Sequence, residues 1–182
     1  FCSAICNYCN FNRGLFDAGL KERYVEALIA EIRGSASALS ASARQTSPDQ
    51  TRPGEVWPEP ADTIYFGGGT PSLLPAETVT RLLDLIRGRF GIAADAEVTL
   101  EANPGPDERG DPWALRAAGV TRLSIGAQAM SAAGLRRLGR RHRVVDVVRA
   151  VAEARAAGIG SVTTCRDPIR RSDHRPPGRP RR

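Results

Sequence analysis

The chain has 182 residues, 41% of them hydrophobic and 25% charged, which is ordinary for a soluble globular protein with one core. Its net charge of +6 is concentrated in residues 166–182, which hold seven Arg against two Asp and leave the rest nearly neutral, so a nucleic-acid-binding face is not expected. No apolar run approaches the roughly 18 residues of a membrane span, no signal peptide is apparent, and four cysteines with three clustered do not form a disulfide framework; a reducing, cytoplasmic setting is expected.

Taken in order, the chain opens on Cys2-Ser-Ala-Ile-Cys6-Asn-Tyr-Cys9, a C-x3-C-x2-C spacing. That spacing brings three sulfurs to one side of a short loop, and soft thiolates select zinc or iron–sulfur clusters. A closed structural zinc site wants four protein ligands, and the only spare cysteine is the distant Cys165. A [4Fe–4S] cluster on three thiolates leaves one iron open to a small molecule. The spacing favours the cluster, with structural zinc and inert core cysteines as alternatives.

A polar loop over 12–19 leads to a predicted helix over 20–32, with Tyr24, Leu28 and Ile32 as its apolar stripe and Gly34 as its stop. Residues 35–60 carry prolines at 48, 53, 58 and 60 without periodicity and read as a surface loop insertion. A strand over 63–66 runs into Gly67-Gly68-Gly69. Pro75 then opens a helix carrying Val79, Leu82, Leu83 and Ile86. A strand over 97–100, a turn over 103–106, and a short helix with Trp113, Leu115 and Ala118 ended by Gly119 follow. Next come a strand over 121–125, a helix over 132–138, a helix over 144–157 facing inward through Val147, Val148 and Val151, and a strand over 159–163. Strands alternating with helices predict an α/β fold of parallel βαβ units with right-handed crossovers, and a doubly wound sheet and a (β/α) barrel both fit.

In such folds the ligand site lies at the carboxyl ends of the strands. Gly67-Gly-Gly-Thr-Pro-Ser72 is at one such end, where glycines let the backbone approach a ligand and offer N–H groups. It lacks the Gly-Lys-[Ser/Thr] ending of a triphosphate-binding loop. Glu101 and Gln128 follow the next two strands, so all three stretches are expected on one rim.

Cys2-x3-Cys6-x-Tyr8-Cys9 resembles the radical S-adenosylmethionine (SAM) signature. With Tyr65-Phe-Gly-Gly-Gly-Thr-Pro-Ser, Glu101-Ala-Asn-Pro, Arg122-Leu-Ser-Ile-Gly-Ala-Gln128 and Leu138-Gly-Arg-Arg-His142, residues 1–164 resemble the oxygen-independent coproporphyrinogen III oxidase family, including its heme-chaperone (HemW-type) branch. The resemblance implies a partial TIM-like (β/α)6 radical SAM barrel lacking its first strand and its C-terminal part. It implies a [4Fe–4S] cluster on Cys2, Cys6 and Cys9, and a SAM site lined by Tyr8, Gly68, Gly69, Thr70, Glu101, Gln128 and Arg140. Reduction of the cluster by an electron donor would cleave SAM to methionine and a 5′-deoxyadenosyl radical. No side chain is assigned as catalytic. The oxidase carries a further cysteine two places after the third; Phe11 stands there, as in the chaperone branch, which binds heme for delivery to membrane respiratory proteins. The other readings are the oxidase itself, in porphyrin biosynthesis, and a zinc-stabilised binding module without redox chemistry.

The chain departs from the family pattern at both ends. The family has a strand before the first cysteine, and after Thr164 it continues with an Asp that helps bind SAM. Here residues 165–182 form an Arg/Pro-rich tail, expected to be disordered and foreign to the fold through a shifted reading frame. Cys165 as a fourth cluster ligand is disfavoured. The chain is therefore read as a fragment, of low stability and inactive by itself, with unpaired sheet edges.

Overall fold

The computed structural model describes residues 1–9, 14–15, 17–43 and 60–166, with the backbone alone for 36–43 and 166. Four strands, β1 (Ala61–Phe66), β2 (Ile92–Ala102), β3 (Arg122–Gln128) and β4 (Ser161–Arg166), form a parallel sheet in the order β1-β2-β3-β4. Five helices accompany them: α1 (Ala18–Ala43), α2 (Ala76–Phe90), α3 (Pro112–Ala117), α4 (Ala132–Arg137) and α5 (Val144–Ala156).

This order decides between the two architectures. A doubly wound sheet reverses its strand order at a switch point. Here each strand pairs with the next in sequence. The crossover helices also share one core: Val79 and Leu83 of α2, Leu115 of α3, and Ala150 and Ala154 of α5 all pack with Val98, Leu100, Leu123 and Ile125 of the strands. A sheet wound in one sense with its helices on one face is an arc of a (β/α) barrel. Helix α1 forms an outer layer, where Val25 and Ile29 pack with Leu82 of α2.

Strand alternation divides the sheet into two surfaces. In β2, Val98, Leu100 and Ala102 face the helices, while Glu97, Thr99 and Glu101 face inward. Register puts Thr99 beside Arg122 and Glu101 beside Ser124. The inner surface is therefore polar, and Arg122 pairs with Glu97 there at 2.9 Å.

Local chemistry fixes the element ends. Asp111 caps α3 by accepting from the N–H groups of Trp113 at 2.9 Å and Ala114 at 3.4 Å. Ser131 caps α4 through Gly134 at 3.1 Å. At the start of α5 the Arg143 N–H donates to Asp146 Oδ2 at 2.7 Å.

Several expectations need correction. Helix α1 does not stop at Gly34 but runs on to Ala43. Gly34 does not adopt the positive φ of a C-terminal cap, and a glycine in ordinary helical geometry costs only about 1 kcal/mol relative to Ala. In α1, Leu28 and Ile32 pack on the core as expected, but its fully buried residues are Val25 and Ile29, and Tyr24 is 55% exposed. In α5 the small residues Ala150 and Ala154 are buried beside Val147, whereas Val148 is 59% exposed. Strand β4 continues past 163 through Cys165 to Arg166, so these residues belong to the sheet rather than to a tail. Glu101 and Gln128 lie within the last two residues of β2 and at the last residue of β3, not beyond them. Phe11, the proline-rich 48–58 and residues 167–182 lie outside the described residues.

Candidate functional site

A cavity of about 310 Å³ lies at the carboxyl end of the sheet. One wall is the N-terminal loop with Cys2, Tyr8, Cys6 and Cys9. Its backbone is tethered by the Cys2 N–H donating to the Gly14 carbonyl at 3.0 Å, and the Cys9 N–H closes a turn on the Cys6 carbonyl at 3.3 Å. The Phe1 ring packs edge-on against Tyr24 of α1, with centroids 5.5 Å apart. Phe1 also explains Gly69: a Cβ there would lie 2.5 Å from the Phe1 nitrogen and 2.6 Å from its carbonyl oxygen. Only glycine lets the cysteine loop come this close to the end of β1.

Gly68, Gly69 and Thr70 supply the second wall, and Glu101 stands across from them. Gly68, with φ +115°, donates its N–H to Glu101 Oε2 at 3.1 Å. Tyr65 donates its hydroxyl to Glu101 Oε1 at 2.8 Å. Both carboxylate oxygens are thus held from the β1 side.

Arg140, in the turn after α4, closes the third side. Its Nη2 donates to Asn103 Oδ1 at 2.6 Å and to the Gly126 carbonyl at 3.0 Å. Its Nη1 reaches Cys6 Sγ at 3.3 Å, and its Nε is buried without a hydrogen-bond partner. Asn103 in turn donates to Thr70 Oγ1 at 3.2 Å. Gln128 ends β3 at φ +62°, the left-handed region that side-chain-bearing residues seldom adopt. Buried His142 donates from Nε2 to the Ala127 carbonyl at 3.2 Å, just before that kink. Burial, with the nearby Arg140 charge, pushes the His142 ring below the ordinary imidazole range and keeps it neutral.

The cysteines Cys2, Cys6 and Cys9, with Tyr8, Gly68, Gly69, Thr70, Glu101, Gln128 and Arg140, all line this one cavity. Sequence reasoning passed over Asn103, Tyr65 and Ser124. All three stand in the family-like stretches given above, and Tyr65 and Ser124 also sit on the inward phase of strand alternation, which was the available signal. Cys165 also lines the cavity, its Sγ 3.3 Å from Ser124 Oγ.

The donor types suit an iron–sulfur cluster with a zwitterionic ligand: soft thiols on one wall, a guanidinium and backbone N–H groups for a carboxylate, and a carboxylate for ammonium or hydroxyl groups. Among the described residues, no three of His, Cys, Asp and Glu are gathered tightly enough to hold a metal ion. A [4Fe–4S] cluster does not ask for a single meeting point, because each thiolate binds a different iron, and three thiols spread along one wall fit it.

Comparison with known proteins decides the lineage. The model of the Radical SAM superfamily matches residues 54–167. The chain belongs to the radical SAM superfamily. The matched segment is the α/β core, and the cysteine loop precedes it. Among curated members, a mitochondrial radical S-adenosyl methionine domain-containing protein 1 of Mus musculus is 38% identical over 164 residues, 90% of this chain and 33% of that protein. The heme chaperone HemW of Escherichia coli is 36% identical over 162 residues, 88% of this chain and 38% of that protein. The chain thus spans little more than a third of these relatives. A solved structure of E. coli coproporphyrinogen III oxidase (HemN), described as a radical SAM enzyme, superposes with a TM-score of 0.70 at 27% identity, over 90% of this chain and 34% of that one. The four-stranded arc matches part of the TIM-like fold of that enzyme. Among the described residues, no helix is long and apolar enough to cross a membrane.

Proposed function

We propose that the cavity holds a [4Fe–4S] cluster on Cys2, Cys6 and Cys9, with SAM beside it against Tyr8, Gly68, Gly69, Thr70, Glu101, Gln128 and Arg140. One observation carries this reading: stretches far apart in sequence converge on a single cavity at the carboxyl ends of the strands. When bound and reduced, such a cluster supplies the electron that cleaves SAM. The chain's own part is to grip and orient. Arg140 and the Gly69 backbone suit the carboxylate of SAM, and Glu101, held by the Gly68 N–H, suits its ammonium or ribose hydroxyls.

The whole protein, in this reading, is a heme chaperone that passes heme to a membrane respiratory protein in a reducing compartment such as the cytoplasm. The similarity to HemW supports it, as does Phe11 at the place where the oxidase carries a further cysteine. The likeness to HemN keeps the oxidase as the second reading.

Anaerobic reconstitution with iron and sulfide tests the cluster. The expected product is brown, with broad visible thiolate-to-iron absorption and binding of SAM by calorimetry. A colourless protein retaining one zinc ion would defeat the reading. Heme titration against coproporphyrinogen turnover, on a version extended to the length of the relatives, separates chaperone from oxidase.

A further inference from the structure

Tyr65 is not among the residues proposed to line the SAM site, yet it stands beside that site on the inner face of β1 and holds Glu101. Its hydroxyl is 2.8 Å from Glu101 Oε1, while the Gly68 N–H holds Oε2 at 3.1 Å. Tyr65 is 60% exposed, and its hydroxyl also meets the Ser124 side chain on the cavity wall. The ring lies over Gly67, where an added Cβ would meet it at 2.7 Å. Gly67 is thus the residue that leaves room for Tyr65 to reach Glu101.

We propose that Tyr65 is a positioning residue for the SAM site, fixing the Glu101 carboxylate so that its remaining lone pairs face the cavity. The inference rests on the reading of the cavity given above. With both oxygens already accepting from the chain's own donors, the carboxylate cannot swing away, and it selects a ligand group that donates hydrogen bonds. Partial desolvation, then the hydrogen bond to Glu101, raise the Tyr65 hydroxyl above its ordinary range, against a smaller opposing effect of the Ser124 hydroxyl.

Two variants approach the contact from different sides. Tyr65→Phe removes only the hydroxyl, and Gly67→Ala displaces the ring while leaving the hydroxyl in the sequence. Both are expected to weaken SAM binding to the reconstituted protein about tenfold, the effect of losing one hydrogen bond to a charged group. Neither should lower iron content. In a Glu101→Gln background Tyr65→Phe should have little further effect, a coupling that a merely structural role would not produce. Without any ligand, absorbance titration should show Tyr65 ionising above the ordinary range, and Glu101→Gln should lower it. If the parent protein binds SAM and Tyr65→Phe binds it equally well, the inference falls alone. If the parent protein binds no SAM, the reading of the cavity falls with it.

Discussion

Arg140 Nη1 lies 3.3 Å from Cys6 Sγ, although the two residues are 134 positions apart. The same guanidinium holds Asn103 and the Gly126 carbonyl. Arg140 therefore joins the cysteine loop to the ends of β2 and β3. Arg140→Lys keeps the charge but loses the fork of donors. It is expected to cost roughly 1–3 kcal/mol in urea unfolding, because part-buried acceptors lose their donors, and to weaken SAM binding at least tenfold. Unchanged unfolding and unchanged SAM binding together would contradict this role.

Gly69→Ala tests the approach of the cysteine loop. A methyl group there meets Phe1 backbone atoms at 2.5–2.6 Å, which no side-chain adjustment relieves. The loop must move off the sheet. Circular dichroism should stay near that of the parent while iron content after reconstitution drops severalfold. Full iron loading would show that loop placement against β1 is immaterial.

Cys165 distinguishes three cluster ligands from four. Its thiol lies by Ser124 on the cavity wall, so the role of a fourth ligand is open to it geometrically. Cys165→Ser is expected to leave the iron-to-protein ratio unchanged, whereas serine at Cys2, Cys6 or Cys9 should abolish loading. Loss of iron in the Cys165 variant would reassign it as a ligand.

Acid should destabilise the chain in two stages. His142 is held below its ordinary value of 6.5, chiefly by burial. The unfolded chain then takes up the proton more readily, so stability is full above about 6.5 and declines as pH falls towards the folded value. At lower pH, Glu97 and Asp146 follow, held below their ordinary values of 4.5 and 3.8 first by hydrogen bonds from Arg122 and Arg143. Their contributions are present above those values and are lost as pH falls through the folded ones. Urea midpoints measured from pH 8 down to about 2 should begin to drop near 6.5 and fall further below 4.5, and His142→Gln should flatten the first stage.

The repeating core was readable because strand and helix periodicities are strong where burial is strong: Val98, Leu100, Leu123 and Ile125 alternate as their strands require. What misled was local punctuation. Gly34 carries a stop signal that takes effect only when the backbone turns left-handed, and here it does not. In α5 Val147 and Val151 face the core as expected, but Val148 is 59% exposed and the inward face is completed by Ala150 and Ala154. The candidate site was legible through glycines and charged residues at strand ends. Asn103 and Tyr65 escaped notice because their roles are relations between strands, and register is not visible in one sequence.

The sheet's sequential order bears on how the protein is made. Each strand finds its partner in the strand synthesised just before it, so the arc can zip up as the chain leaves the ribosome. The cysteines emerge first and Arg140 nearly last among the wall residues. While the 130 or so residues between Cys9 and Arg140 are made, the three thiols wait without the guanidinium that will face them. Cluster loading is therefore expected to wait for Arg140 to emerge and complete the far wall.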